Sequence, residues 1–232
     1  MEPLICGTCW GMEQERQRRS HEGEIILGDL PNWVTEQVMR LGLSKREARA
    51  DLQRVPQVVR KALPLDTLKT LLDGDVPSRG FGLGGNTDGG KTMALAAILR
   101  RHLEAWARKT VPTRGRVLPD WFTWVCWPDE VQWLRAHAIA DTTTDRLDAL
   151  ANVPLLILDD LGRERIKGSY ADDWAASQLD FVVNSRYREE LVTLWTTNVR
   201  EVDLVSLYGA ALMRRLTAEN PLTWIENLES AR

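Results

Sequence analysis

Apolar residues recur along this chain with two alternating spacings. Leu95, Ile98, Leu99, Leu103 and Trp106 fall three and four apart and predict one face of a helix, and Ala175, Leu179, Val182 and Val183, running on to Arg186, predict another. Between such segments stand short dense runs that read as strands: residues 79–84, Trp121–Trp127 closed by Pro128, Leu155–Leu158, Leu191–Trp195 and Leu222–Ile225. A run apolar throughout is buried on both faces, which is the condition of a parallel sheet covered by helices on each side. The prediction is therefore an α/β core with a parallel five-stranded sheet between helices. Trp133 and Leu134 belong to a helix after the second strand, Asp141 to Asp145 reads as a polar loop, and Ser206–Leu216 reads as one continuous helix.

The first third of the chain has a different texture. Pro31-Asn32-Trp33 opens a helix with Val34, Val38 and Leu41 on one face and Gly42 as its C-terminal cap. Ser44-Lys45-Arg46-Glu47 reads as a capping box that starts a second helix carrying Arg46, Arg49, Arg54, Arg60 and Lys61, interrupted by Pro56. The pair has the outline of a helix-turn-helix, but the plainer reading is a solvated basic face on a small helical appendage. Leu63-Pro64 and Asp73–Pro77 punctuate the approach to the core. The expected organisation is an N-terminal, partner-binding appendage over residues 1–62 and a core domain over 63–232.

Chemistry enters at the end of the first strand. Gly85, Asn86, Thr87, Asp88, Gly89, Gly90, Lys91 and Thr92 match the phosphate-loop pattern G-x-x-x-x-G-K-[ST], between a strand and a helix as that loop requires. Glycines let backbone N–H groups approach crowded phosphate charge, and the following helix aims its positive dipole end at the same point. Lys91 is expected to reach the β- and γ-phosphates of ATP and Thr92 to place its hydroxyl on Mg²⁺. Asp88 is the awkward member, because its carboxylate faces the ligand's own charge unless it turns to solvent. Leu155–Leu158 runs straight into Asp159 and Asp160, so both acids emerge at the carboxyl edge of the sheet. Asp159 is expected in the Mg²⁺ shell, and Asp160 is expected to polarise the attacking water. Asn198 ends the next buried strand, where a neutral amide can hold that water or sense the γ-phosphate; by itself Thr196-Thr197-Asn198 also suits a turn. Arg214 and Arg215 admit two readings, a finger on a neighbouring subunit's γ-phosphate or cations at a helix end.

Composition narrows the picture. With 232 residues and 44% hydrophobic content the chain can bury a substantial core. A formal charge of −3 excludes a whole-surface field for nucleic acid and leaves only a local basic patch for such contact. No apolar run approaches the roughly 20 residues of a membrane span, and a cytoplasmic setting with no membrane partner is expected. Cys6, Cys9 and Cys126 make an odd set, read as reduced thiols rather than a disulfide scaffold. Cys6 and Cys9 have zinc-ligand spacing, with His21 as a third candidate and no fourth, so a zinc half-site and two free thiols stand side by side. The tryptophans of 121–127, near Arg114 and Arg116, fit core packing better than base stacking.

With phosphate loop, paired acids, Thr-Thr-Asn and arginine helix in this order, residues 63–232 resemble AAA+ ATPases of the DnaC/IstB group. LLILDDLG at Leu155–Gly162, NSRY at Asn184–Tyr187 and TTN at Thr196–Asn198 carry the likeness, and the tail from Gly209 to Arg232 is most similar to DnaC-type helicase loaders. The resemblance implies an AAA+ ATPase using ATP and Mg²⁺, with Lys91, the pair Asp159 and Asp160, Asn198 as first sensor, and Arg215 as finger with Arg214 beside it. It also implies a homo-oligomer that engages a replicative DNA helicase through its N-terminal region, together with single-stranded DNA. An IstB-like transposition ATPase on duplex DNA, recruiting a transposase, and a barely hydrolysing assembly adaptor are the alternatives. Two departures stand out: Asp88 replaces a glycine, and Asp160 stands where many AAA+ proteins carry glutamate. Too little chain follows Arg215 for a full helical lid, as in this group.

Overall fold

The computed structural model describes residue 24 and residues 27–87, 89–114, 121–137, 142–164 and 171–226. Helix α1 (Leu30–Arg40) leads through two single 3₁₀ turns (Glu47–Arg49 and Leu52–Arg54) to α2 (Gln57–Ala62) and α3 (Leu65–Leu72). The core then alternates: β1 (Phe81–Gly85), α4 (Lys91–Arg114), β2 (Phe122–Cys126), α5 (Trp127–Ala136), α6 (Thr142–Asn152), β3 (Leu155–Leu161), α7 (Ala171–Arg188) and β4 (Val192–Thr197). Helices α8 (Glu201–Tyr208) and α9 (Ala210–Glu219) precede β5 (Leu222–Ile225). The strands form one sheet in the order β2-β3-β4-β1-β5, parallel throughout, as the apolar runs predict.

The glycines of β1 have a packing cause. A Cβ on Gly82 would lie 2.3 Å from the Trp195 indole, and one on Gly84 would lie 2.4 Å from the Trp224 ring. Residues two apart on a strand share a face, so Gly82 and Gly84 clear a shelf occupied by the rings of Trp195 from β4 and Trp224 from β5. Phe81 and Leu83 point the other way, into the cluster beneath α4. The sheet thus separates two cores. One holds α4 and the N-terminal segment, and the other is built on α5 to α9.

Local expectations needed three revisions. The Ser44/Glu47 box forms reciprocally, with Ser44 N donating to Glu47 Oε2 at 2.7 Å and Glu47 N donating to Ser44 Oγ at 3.3 Å. It opens only a 3₁₀ turn, because Ala50 leaves the helical region at ψ 143°, Asp51 caps a second turn and Pro56 blocks continuation. No helix-turn-helix results. The predicted polar loop at Asp141–Asp145 yields from Thr142 onward to α6, whose Leu147, Leu150 and Ala151 are buried at helical spacing. The single helix predicted over Ser206–Leu216 is broken at Gly209, where φ is 84°, into α8 and α9.

The described part of the predicted appendage shares its core with the phosphate-loop helix. Val34, Val38, Ala48, Val55 and Val59 are buried in one cluster with Leu95, Ile98 and Leu99 of α4. Arg100 Nη1 donates to the Ala50 carbonyl at 2.9 Å and pins the segment there. On the far side of the sheet Arg186 does comparable work. It is 2% exposed, and its guanidinium donates to the carbonyls of Leu150, Val153, Pro154 and Val192 and to Thr193 Oγ1. One arginine of the NSRY stretch thereby ties the end of α6 and the starts of β3 and β4 to α7, holding the strands whose far ends carry the acids (β3) and the Thr-Thr-Asn run (β4).

Candidate nucleotide site

Gly85, Asn86 and Lys91 stand together at the carboxyl edge of β1. Lys91 is 5% exposed, and its Nζ donates to the Gly85 carbonyl at 3.0 Å, to the Asn86 carbonyl at 2.7 Å and to Asn198 Oδ1 at 2.7 Å. The ammonium is held inside the loop by neutral oxygens that phosphate oxygens are well suited to replace. Gly90 adopts φ 81°, and a Cβ there would meet Pro56 Cδ at 2.9 Å. The loop's last turn therefore needs glycine twice over, for its left-handed backbone and for the proline against it. Thr87 and Gly89 flank Asp88, which lies outside the described residues, as do Cys6 and Cys9. Among the described residues no group of three or more His, Cys, Asp or Glu side chains is placed to hold a metal ion.

The two acids of β3 reach the same site through a defect in the sheet. Leu158 pairs with Trp195 and Leu161 with Thr197, so β3 advances three residues while β4 advances two. The extra residue makes a bulge, and Asp160 sits in it at φ 61°. In a regular strand neighbouring side chains point to opposite faces; the bulge re-aims one of them. Left-handed backbone at a non-glycine residue costs on the order of 1 kcal/mol, and the Asp160 N–H donating to Thr196 Oγ1 at 3.0 Å helps hold it.

The acids then occupy unlike surroundings. Asp159 is 5% exposed, and its Oδ1 accepts from Thr92 Oγ1 at 3.0 Å and from Thr196 Oγ1 at 2.5 Å. Burial pushes its carboxyl up to about 6; the Thr196 hydroxyl opposes that shift, the Asp160 charge adds to it, the Thr92 hydroxyl opposes it, and Glu47 adds the smallest part. Asp160 Oδ1 accepts from Asn198 Nδ2 at 3.1 Å, and its Oδ2 accepts from Arg163 at 2.7 Å. A continuous chain runs from Lys91 through Asn198 to Asp160 and Arg163. The residues fit a hard divalent cation on the Asp159 side, since hydroxyls and a buried carboxylate meet there with no cation of the described residues in contact.

This arrangement can be set beside known folds. No protein-family model matches the sequence, and no curated protein matches it. Solved structures do match. The DnaC helicase loader superposes with a TM-score of 0.60 at 23% identity, over 79% of this chain and 100% of that one. DnaI gives 0.56 at 23% identity over 80% and 92%. The replication initiator DnaA, bound to AMPPCP and single-stranded DNA, gives 0.54 at 17% identity over 77% of this chain and half of DnaA. The fold of this chain is that of DnaC and DnaI.

Within that fold the predicted residues divide by position. Lys91, Thr92, Asp159, Asp160 and Asn198 converge. The α9 arginines stand apart: Arg215 Nη1 is engaged by Asp180 of α7 at 3.1 Å, whereas Arg214 is exposed. Three contributors are absent from the pattern read in the sequence. Thr196 is fully buried and bonded to Asp159; its hydroxyl was legible only as turn chemistry. Arg163 follows the acids by three residues and turns back onto Asp160. Tyr208 closes the strand-end turn, accepting from Gly162 N at 2.8 Å and donating to Glu164, so α8 is latched to the loop that carries the acids. Only the Thr-Thr-Asn tripeptide hinted at any of these.

Proposed function

We propose that the protein is an ATP-hydrolysing replication factor of the helicase-loader type, acting as a homo-oligomer on a replicative helicase and single-stranded DNA. The observation that carries the ATPase part is the convergence of Lys91, Asn198 and Asp160 on one side of the bulge and Thr92, Asp159 and Thr196 on the other. The loader part rests on likeness of fold to DnaC and DnaI.

In this reading Lys91 exchanges the Asn86 carbonyl and the Asn198 amide oxygen for phosphate oxygens, which leaves Asn198 fixed to Asp160 and able to report on the γ-phosphate. Asp160 takes a hydrogen bond from the attacking water and polarises it. Thr92 and Asp159 would hold Mg²⁺, which supplies neutralisation of the developing phosphate charge when bound. The α9 arginines supply a cation to the neighbouring copy: Arg215 once its pair with Asp180 opens, with exposed Arg214 beside it.

The test is ATP turnover by the purified chain alone, with single-stranded oligonucleotide, and with a replicative helicase. Wild type should turn over ATP and co-purify with the helicase, and Lys91→Ala should lose ATP binding. A double Arg214→Ala, Arg215→Ala variant should bind ATP yet turn over poorly, and recover when mixed with Lys91→Ala. Unaltered ATP affinity in Lys91→Ala would overturn the site, and absence of helicase capture would overturn the loader role.

A further inference from the structure

Between residues 40 and 61 the chain carries seven cations against two carboxylates, in a protein whose formal charge is −3. Folding sorts these charges. Leu43, Ala48, Ala50, Val55 and Val59 turn inward to the α4 core. Both acids are half-buried and spent on the backbone: Glu47 Oε2 accepts from Ser44 N at 2.7 Å, and Asp51 Oδ1 accepts from Gln53 N at 3.0 Å. What remains exposed from 44 to 57 is Ser44, Lys45, Arg46, Arg49, Gln53, Arg54 and Gln57. Every one of these can donate a hydrogen bond, none is apolar and none is acidic. Flanking Arg40, Arg60 and Lys61 extend the exposed row, and none of the seven cations is engaged by a carboxylate among the described residues.

Such a face suits one class of ligand. The centre of a protein–protein interface is depleted of charge and enriched in aromatic and apolar groups, and this strap offers few there: Leu52 and Pro56 are half-buried, and exposed Val58 lies just beyond it. A phosphate backbone asks for closely spaced cations and neutral donors, arginine foremost. The strap is also anchored. Arg100 holds the Ala50 carbonyl, and Pro56 abuts Gly90 of the phosphate loop. A ligand on this face therefore touches the segment that braces the nucleotide site.

We infer that the strap of residues 44–57 is a binding surface for the phosphate backbone of single-stranded DNA. The choice of single over double strand rests on the replication reading; the backbone chemistry does not.

The experiment uses the full chain without nucleotide, so it is independent of whether ATP is hydrolysed. Binding of a fluorescent oligo-dT is measured by anisotropy across a salt series for wild type and for a triple Arg46→Glu, Arg49→Glu, Arg54→Glu variant. Unchanged ATP affinity and thermal melting show that the variant is folded. The triple should weaken binding by about a hundredfold or more near 0.1 M salt and lower the log–log salt slope by about 2, at roughly 0.7 per single-strand phosphate contact. A triple Arg→Lys variant, which keeps the charges, should retain the slope. Unaltered affinity and slope in the glutamate triple overturn the inference. So does a variant that keeps DNA but loses a helicase partner, which would make the strap a protein-docking face. Duplex binding as tight as single-strand binding, and lost equally, overturns the single-strand assignment. Failure of the ATPase reading shows separately, as Lys91→Ala that still binds ATP.

Discussion

Asp159 and Asp160 are neighbours in sequence and belong to two different regions of the site. On one side of the β3 bulge Asp159 is buried among hydroxyls, with no cation of the described residues touching it and its carboxyl raised to about 6. On the other side Asp160 is bonded to an amide and to an exposed guanidinium. The first environment is unfavourable to a bare carboxylate and becomes favourable when a divalent cation arrives; the second already accommodates the charge. The contrast suits a metal-holding acid beside a water-polarising one, and each half can be broken separately.

The largest effect is expected on the amide side. Asp160→Asn keeps the shape and the contact with Asn198 but cannot polarise water as a carboxylate does. Turnover should fall about 10²- to 10⁴-fold with ATP affinity preserved, read by steady-state turnover and by nucleotide titration. Turnover within a few-fold of wild type would remove Asp160 from the chemistry.

On the hydroxyl side the effect is on stability, and its sign is unusual. Asp159 has a folded pKa above its unfolded value, so its burial costs nothing below about pH 4, and stability declines as pH rises to about 6. Asp159→Asn should therefore make the metal-free protein more stable at pH 7, by on the order of 2–3 kcal/mol, and flatten that stretch of the pH profile. Denaturant melts of both proteins between pH 4 and pH 7 check this. Mg²⁺ with ATP should reverse the order by stabilising wild type alone. A variant less stable at pH 7 without metal would show that the carboxylate is not strained there.

The smallest effect belongs to Arg163. With the guanidinium 2.7 Å from Oδ2, Asp160 has one oxygen occupied before water arrives. Arg163 is largely exposed, and an exposed pair is worth only about 0–1 kcal/mol. Arg163→Ala should therefore raise turnover without DNA by no more than about fivefold, leaving ATP affinity unchanged. A fall in turnover would instead make Arg163 part of the machinery.

Much of this was legible in the chain because each signal is local. Four branched aliphatics before Asp159 require a strand buried on both faces, and Gly85 to Thr92 requires a strand, a loop and a helix N-terminus in that order. Those constraints already give a parallel sheet with the phosphate-loop pattern at its carboxyl edge. The misreadings came where a local signal met a competing one. The Ser44 box was formed and then cut short by Asp51 and Pro56, and a polar run at 142–145 became the first turn of α6 because Leu147, Leu150 and Ala151 had a core to enter.

Periodicity and spacing by themselves determined which residues lie at strand ends, since strand length and glycine position follow from short-range sterics. They had no means of showing that β3 carries a bulge, because the extra residue exists only relative to its partner on β4. That pairing decides that both acids face the site, that Thr196 serves Asp159, and that Asn198 spans the gap between Lys91 and Asp160. The strap was decided in the same way. A list of arginines reads as a solvated face until the burial of Ala48, Val55 and Val59 fixes which side turns inward and leaves the cations outward, beside the phosphate loop. Contacts between residues 36 to 107 positions apart carry these outcomes, and no window along the chain contains both partners.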